Sequence, residues 1–448
     1  MSTPELERAA FNSYRVTQKW VSMIKGEFDT RKMHTSKWVN IFEAHNDSVS
    51  VREVFFLPRG IHGRNLVVTV SKKVWSILRV WEVKHDGEVG DAIGEWGQKG
   101  ALFKSIAVNP DNESRVTVAV GMVTAEGRHS VEFLNLTPSF SFESVRSFET
   151  KLSPATLQGD LVALCDAKSK TAIFNWATSG YALLDDDHDS DTLRAQYIHQ
   201  VVFAYESVLV ARYLSLTLFA MPELHPDPPE DAVAHRPLSK FEYDTQDGMC
   251  ISLSKDQRSC KILMREDGDP WKPRDEIHLR AYDLPFNPDY HHPPESQLEA
   301  DTCPPYIFPP LLKATIPTSR GRLLAREIWL GKCGTASWVR PKPRRGVAEG
   351  MVTIPYIIPE GEPPRISMRL ASEEEREKEY VMGTVLWDSE LRRGEDGRLD
   401  IPDEPAMLEP FTMMTNRKTE DWTCVDYDEE TGVFALGHED GMVTLCGM

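Results

Sequence analysis

No stretch of this sequence approaches the roughly 20 consecutive apolar residues that cross a bilayer as a helix. The opening MSTPELERAAF has no basic segment leading into an apolar one, so it does not read as a secretory signal. Cysteine is scarce: seven in 448 residues, at Cys165, Cys250, Cys260, Cys303, Cys333, Cys424 and Cys446, and never as C-x-x-C. An odd, scattered set excludes a disulfide framework and a thiolate zinc site, and is expected to be reduced and mostly buried. Positive charge is in deficit, with 51 Lys and Arg against 69 Asp and Glu for a net −18. Nucleic acids and anionic membranes are both held by clustered cations, so neither is an expected partner. The expected location is cytoplasmic or nuclear.

Catalytic signatures are missing as well. There is no G-x-S-x-G elbow and no H-E-x-x-H helix. Gly331-Lys332-Cys333-Gly334-Thr335 holds a Gly-Lys pair at the wrong spacing for a phosphate loop and reads as a turn between two strands. Lys332 beside Cys333 would activate the thiol only if the two approached in space. Asp185, Asp187 and Asp189 are calcium-type ligands, but the run lacks the Gly and terminal Glu of an EF-hand loop and reads as a solvated connection. Asp289, His291 and His292 lie in a Pro-rich segment with no third, distant ligand at metal-site spacing. Arg340, Lys342, Arg344 and Arg345 form a basic stretch broken by prolines, and Trp271 is the one tryptophan that reads as loop-borne. No catalytic, cofactor or metal residue is therefore assigned. An enzyme with residues dispersed around a channel mouth, or a small-ligand or carbohydrate-binding ring, is the alternative to a protein-binding role.

What the chain does have is a long succession of short β-type runs. VREVFFL (51–57), NLVVTVSK (65–72) and ILRVWEV (77–83) are rich in Val, Leu and aromatics with polar turns between them. Similar groups follow at 103–136, 155–176, 199–221, 248–284, 323–339 and 422–448. In each group a third run ends near an aromatic such as Trp81, Trp176 or Phe219. Self-similarity at about 40–50 residues is the mark of propeller blades. The fold class expected is all-β, a propeller of about seven WD-repeat-like blades, with six or eight as the neighbouring counts.

A short helix precedes it. Thr3 can cap, Pro4 suits the first helical position, and Gly26 can end it. Leu6, Ala10 and Tyr14 recur at spacing four, as do Val16, Trp20 and Ile24. Residues 1–26 are thus the expected helix and 27–448 the expected propeller. Its Pro-rich or charged stretches 222–245, 285–310 and 340–382 read as loop insertions, the last with a Ser372/Glu375 capping box. Residues 37–43 alternate as a strand and are expected to close the ring, as the outer strand of the last blade, antiparallel to 442–446. Burial of Trp20 on the ring would make the helix part of a self-sufficient unit; exposure would imply a missing partner.

These residues carry a resemblance. His45 near a Gly-His position and Trp81-Glu82 where Trp-Asp is usual resemble a degenerate WD repeat. SYRVTQKWVSMIKGEF resembles the last helix of an F-box and its link to a propeller. GDLVALCDAKSKTAIFNWATSGYALL, LGKCGTASWV and CVDYDEETGVFALGHEDGMVTL look like the divergent F-box propeller proteins of mushroom-forming fungi. The resemblance implies a substrate-recruiting subunit of a cullin-RING ubiquitin ligase, with protein partners that include the ligase adaptor. The Leu-Pro opening and first helices of an F-box have no counterpart here, so the adaptor-binding part is expected to be missing.

Overall fold

The computed structural model describes residues 14–22, 38–39, 50–58, 64–72, 74–83, 89–166, 170–185, 198–226, 235–244, 246–254, 256–266, 277–290, 303–318, 327–340, 379–386, 405–415 and 422–447. A helix, α1 (residues 14–22), precedes the first strand, β1 (Trp38–Val39), and the described residues form 29 strands in all. Blade 1 comprises β2 (Ser50–Phe56), β3 (Leu66–Lys72), β4 (Ser76–Val83) and β5 (Val89–Trp96). Blade 2 has β6 (Leu102–Val108), β7 (Val118–Val123), β8 (His129–Leu136) and β9 (Phe142–Glu149). Blade 3 has β10 (Ser153–Gln158), β11 (Leu161–Cys165), β12 (Thr171–Asn175) and β13 (Tyr181–Leu184). Blade 4 has β14 (Ile198–Ala204), β15 (Ser207–Arg212), β16 (Ser215–Ala220) and β17 (Ser239–Glu242). Blade 5 has β18 (Gln246–Leu253), β19 (Ser259–Glu266), β20 (Ile277–Pro285) and β21 (Leu311–Thr318), with β25 (Ala406–Met407) added parallel at its outer edge. Blade 6 has β22 (Ile328–Leu330), β23 (Thr335–Arg340), β24 (Tyr380–Val385) and β26 (Phe411–Thr415). Blade 7 has β27 (Trp422–Asp428), β28 (Val433–His438) and β29 (Val443–Gly447), and takes β1 as its fourth strand.

Burial follows position in the blade. First strands contact one another around the axis. Second strands lie between two neighbouring blades and so bury both faces. LVVTVSK in β3 and SVLVAR in β15 are therefore almost wholly buried, and both read as continuous apolar runs. Outer strands meet water, and FESVRSFE in β9 is accordingly polar and half-exposed. Each seam between blades has its own apolar cluster, seven in all.

Six first strands share a device that is invisible in composition. Their pairing with the second strand skips one residue near the start: Arg52, Lys104, Ala155, His199, Asp247 and Thr423. Such a bulge bends the strand and increases its twist, as strands converging on a narrow axis require. Beyond the bulge, side chains reach the next blade: Gln200 accepts from Ile251 N at 2.8 Å and donates to Ile251 O at 3.2 Å.

The ring closes as the alternation of 37–43 implied. β1 pairs antiparallel with β29, Trp38 opposite Thr444 and Val39 opposite Val443. Residue 37 and residues 40–43 lie outside the described set. The last blade thus unites the first strand with the last three and leaves no open edge between first and last blades. Trp81 Nε1 donates to Thr69 Oγ1 at 2.9 Å across blade 1, and His438 Nε2 meets Thr444 Oγ1 at 2.8 Å across blade 7. These buried links tie second to third strands in a WD-repeat-like way.

The insertions need correction. The stretch 222–245 is not only a loop: it supplies β17, the outer strand of blade 4. On the way it crosses to blade 3, where His225 bridges to Tyr181 and His235 to Leu184, covering that blade's outer edge. The stretch 285–310 folds back on itself through a Phe286–Tyr306 bridge and buries Tyr306 fully. At the end of 340–382, Glu379 is buried and Tyr380 opens β24. Ser372 and Glu375 lie outside the described residues. Among the described residues no helix is long and apolar enough to cross a membrane.

Candidate interaction face

Antiparallel blades place all first-to-second turns and all third-to-fourth connections on one face of the ring. On that face, the seam between blades 6 and 7 is filled by α1. Val16 and Trp20 lie four apart, hence on one side of the helix, and both enter the apolar cluster of that seam. Trp20 is only 2% exposed, stands edge-on to Phe411 and Tyr427, and donates from Nε1 to Tyr427 Oη at 3.1 Å. Gly432, at φ 70°, forms the turn beneath; a Cβ there would come within 2.7 Å of Val16. The apolar side that was free to take a partner on sequence grounds is thus engaged by the ring. Trp20→Ala should cost about 3 kcal/mol, the low end for a buried tryptophan, because a terminal helix can undock. Urea titration measures the loss, and early proteolysis within 14–22 would report the release of the helix.

The seam between blades 4 and 5 is filled by the chain as well. Tyr306 accepts from Tyr205 N at 3.0 Å and donates to Gln257 O. Phe286 and Tyr290 stand edge-on to Tyr205, and Tyr290 donates to Glu206 Oε2 at 2.7 Å. Arg258 lies over the Phe286 ring at 5.3 Å.

Between blades 2 and 3 the same face holds an open cleft of about 600 Å³. Its floor is apolar, Val145 and the buried Trp176; its rim carries Asp111, Glu113, Arg115 and Asp160. The walls are tied together. Gly159 O accepts from Asn109 Nδ2 and Trp176 Nε1, both at 3.0 Å, and from Ser114 Oγ at 3.3 Å. Gly159 N donates to Asn109 Oδ1 at 2.9 Å, and Gly159 itself sits at φ 58°, where a Cβ would be strained. Arg146 is committed inward: it donates to Trp176 O and, at 2.6 Å, to Ser179 Oγ, with its guanidinium over Phe174. Among the described residues the charged ends of Glu113, Arg115 and Asp160 have no ionic partner.

Buried charge gathers at the opposite end of the blades. Arg212, at the end of β15, donates to Thr171 Oγ1 of blade 3 at 2.8 Å, and Arg265 in β19 pairs with Glu327, just before β22, at 2.5 Å. Both arginines are fully buried and latch one blade to the next. His199, in the bulge of β14, is pushed down to about 4 from an ordinary 6.5, first by burial and further by the Arg265 charge, against a hydrogen bond to the Gln246 backbone that raises it. Folding therefore requires neutral His199, while the unfolded chain binds a proton below pH 6.5. Stability is fully present above that pH and falls until about pH 4, by roughly 3 kcal/mol in all. Denaturation midpoints followed from pH 7 to pH 4 should show this loss, and His199→Gln should flatten that part of the profile.

The residues singled out in the sequence do not converge. Asp185 directly follows β13 and donates its N–H to His235 O, while Asp187 and Asp189 lie outside the described residues. Asp289 is exposed; His291, His292, Trp271, Lys342, Arg344 and Arg345 lie outside, and so does His45. Arg340 ends β23, exposed. Gly331–Thr335 is the turn expected, with Gly334 N bonded to Gly331 O at 3.1 Å. Its Cys333 N–H and Thr335 hydroxyl hold the Glu429 carboxylate of blade 7, so this motif latches two blades. No disulfide joins any of the seven cysteines, and four of them are buried. The cleft was not anticipated: its residues are spread over 109–177, and the only local sign was the turn-rich Asn109–Arg115.

Seven antiparallel blades, a first strand that completes the last blade, and buried Trp–Thr and His–Thr links define a seven-bladed, WD-repeat-like β-propeller with one short helix on its face. No known protein family matches the sequence, and no curated protein matches it either. Solved structures do share the fold. One is a chain of the humanized mutant of the Chaetomium thermophilum Polycomb Repressive Complex 2 bound to the inhibitor GSK126, with 12% identity, a TM-score of 0.52, and coverage of 92% of this chain and 97% of that one. Another is a chain of an active polycomb repressive complex 2 in the basal state, with 10% identity, a TM-score of 0.51, and coverage of 93% and 98%. Identity this low speaks for the fold alone.

Proposed function

We propose that this chain is a protein-interaction scaffold, a rigid ring that holds partner proteins on its turn-bearing face. The observation that carries this reading is the use already made of that face. At two seams, segments from outside the blade strands, α1 and residues 286–290 with 303–306, dock by burying aromatic side chains and satisfying their hydroxyl or indole N–H. The face therefore accepts docked polypeptide, and a third seam presents a preformed cleft. Two structures that share the fold are of a polycomb repressive complex 2, which agrees with the reading.

A ubiquitin-ligase role is the narrower form, and it rests on the F-box resemblance of the N-terminal helix. Val16 and Trp20 are spent on the ring, so an adaptor would have to bind the outward side of α1, where Tyr14, Arg15 and Gln18 are exposed. Cross-linking of the tagged chain in cell extract, with the cross-linked sites mapped, tests both levels. Partners cross-linked to the turns at 109–117, 157–161 or 428–433 are the expected result. Co-recovery of a cullin and its adaptor would support the narrower form. Absence of any stable protein partner would overturn the scaffold reading.

A further inference from the structure

We infer, building on the scaffold reading, that the end of blades 1 and 2 opposite the turn-bearing face is a second docking surface, for an acidic segment of a protein partner with an aliphatic side chain among its carboxylates. The second-to-third turns and the links between blades lie at this end. Strand pairing gathers five cations there. Lys72 ends β3, opposite Ser50 of β2 and Ser76 of β4. Ser76 in turn binds the next blade: its N–H donates to Ala101 O at 2.9 Å, and its Oγ accepts from Phe103 N at 3.0 Å. The β3–β4 turn is thereby fixed beside Lys99 and Lys104. Arg52 and Lys104 are the residues skipped by the bulges of β2 and β6. Lys151 shortly precedes β10, whose Ser153 and Pro154 pack against Gly121 of β7, itself opposite Ser105.

All five cations are exposed, and among the described residues none has an ionic partner. The described carboxylates nearby are fewer and partly committed. Glu126 pairs with Arg128 at 3.7 Å and Glu95 with Arg79 at 2.7 Å, Glu53 is half-buried, and Glu149 is exposed. Positive charge thus prevails locally in a chain whose Asp and Glu outnumber its Lys and Arg by 69 to 51. An acidic segment meets complementary potential here and is repelled by the chain at large, which selects where it docks. The surface has an apolar element as well. Val74, in the β3–β4 turn, is 70% exposed, the highest among the large apolar side chains described. Trp75 beside it is half-buried, and Trp96 and Phe103 stack at 5.5 Å where β5 leads into β6. An aliphatic side chain of the partner can cover Val74 while its neighbouring carboxylates reach the cations, which a phosphate backbone cannot do. Because Ser76 already holds the turn in place, binding need not order it.

The test uses the full chain and two fluorescein-labelled Gly/Ser peptides, followed by fluorescence anisotropy. One carries a central glutamate–glutamate–leucine–glutamate–glutamate, and the other has serine in place of the leucine. The leucine peptide should bind about fivefold or more tightly than the serine peptide, and should weaken with salt. The double variant Lys72→Glu/Lys104→Glu should reduce its affinity about tenfold or more. The melting temperature should stay that of the native chain, because both side chains are exposed. If it falls, Lys99→Glu/Lys151→Glu, in links outside the strands, applies the same reversal. No binding of the leucine peptide, or binding untouched by charge reversal, overturns the inference. So does a labelled pentathymidine oligonucleotide that binds as tightly as the leucine peptide and is lost in the same variant, which would assign the surface to nucleic acid. Cross-linking separates the two levels. Partners joined to 109–117, 157–161 or 428–433 while the peptide fails to bind would keep the scaffold reading and sink this surface; recovery of no partner would sink the scaffold reading whatever the peptide does.

Discussion

Removal of residues 434–448 is expected to abolish cooperative melting of the whole ring, not merely to loosen one blade. The deletion takes away nearly all of β28 and the whole of β29, and with them Phe434, Ala435, Leu436, Val443 and Leu445, each almost fully buried. These residues serve two seams, since Phe434 and Leu436 pack toward blade 6 and Ala435, Val443 and Leu445 toward blade 1. Burying a large aliphatic or aromatic side chain contributes about 1.5–3 kcal/mol, so the loss approaches the about 5–15 kcal/mol that holds an entire domain together. β1 would lose the strand it pairs with and β27 its neighbour, leaving open edges on both sides of the gap. Scanning calorimetry of the truncated chain should show no sharp transition. A cooperative transition near that of the intact chain would mean that the last blade is dispensable and the closure unimportant.

How much of this was readable from the residues depended on where each strand sits. Strands buried on both faces announce themselves, as LVVTVSK and SVLVAR do, because two neighbouring blades demand apolar side chains in every direction. The outer strands β5, β9, β17 and β26 gave no comparable run, since one face and one edge meet solvent. β17 was further hidden by proline-rich sequence, which looked like a loop although its ends bond to the edge of blade 3. Ring closure was legible because alternation in 37–43 left a strand without a local partner, and β29 receives it. Docking of α1 was half legible: the spacing of Val16 and Trp20 required a partner surface, but only the fold shows that the 6–7 seam supplies it. The cleft was not legible at all, because its floor comes from β9 and the end of β12 while its rim comes from two turns about 50 residues apart. Exposed Asp111 and Asp160 look like any solvated turn until Asn109 brings those turns together.

Buried arginines were also passed over, since an arginine that ends an apolar run normally points to water; Arg265 does not. Its guanidinium is fully buried within β19 of blade 5, and the carboxylate it faces, Glu327, belongs to the entry of blade 6. An arginine cannot shed its proton to escape a dry site, so the carboxylate is what makes the position tolerable. Glu327→Ala should therefore cost about 3–5 kcal/mol, the range for breaking one side of a buried pair. Glu327→Gln retains an acceptor oxygen and should cost less. The informative variant is the double one, Arg265→Leu with Glu327→Leu: apolar replacement of a whole buried pair is often neutral or stabilising, so it should recover most of the loss. Urea titrations of the single and double variants measure these differences through their midpoints at constant slope. If Glu327→Ala lies within about 1 kcal/mol of the native chain, the pair behaves as a surface ion pair does and does not latch blade 5 to blade 6. If the double variant is no more stable than Glu327→Ala, the cost lies in lost packing at the seam and not in the stranded charge.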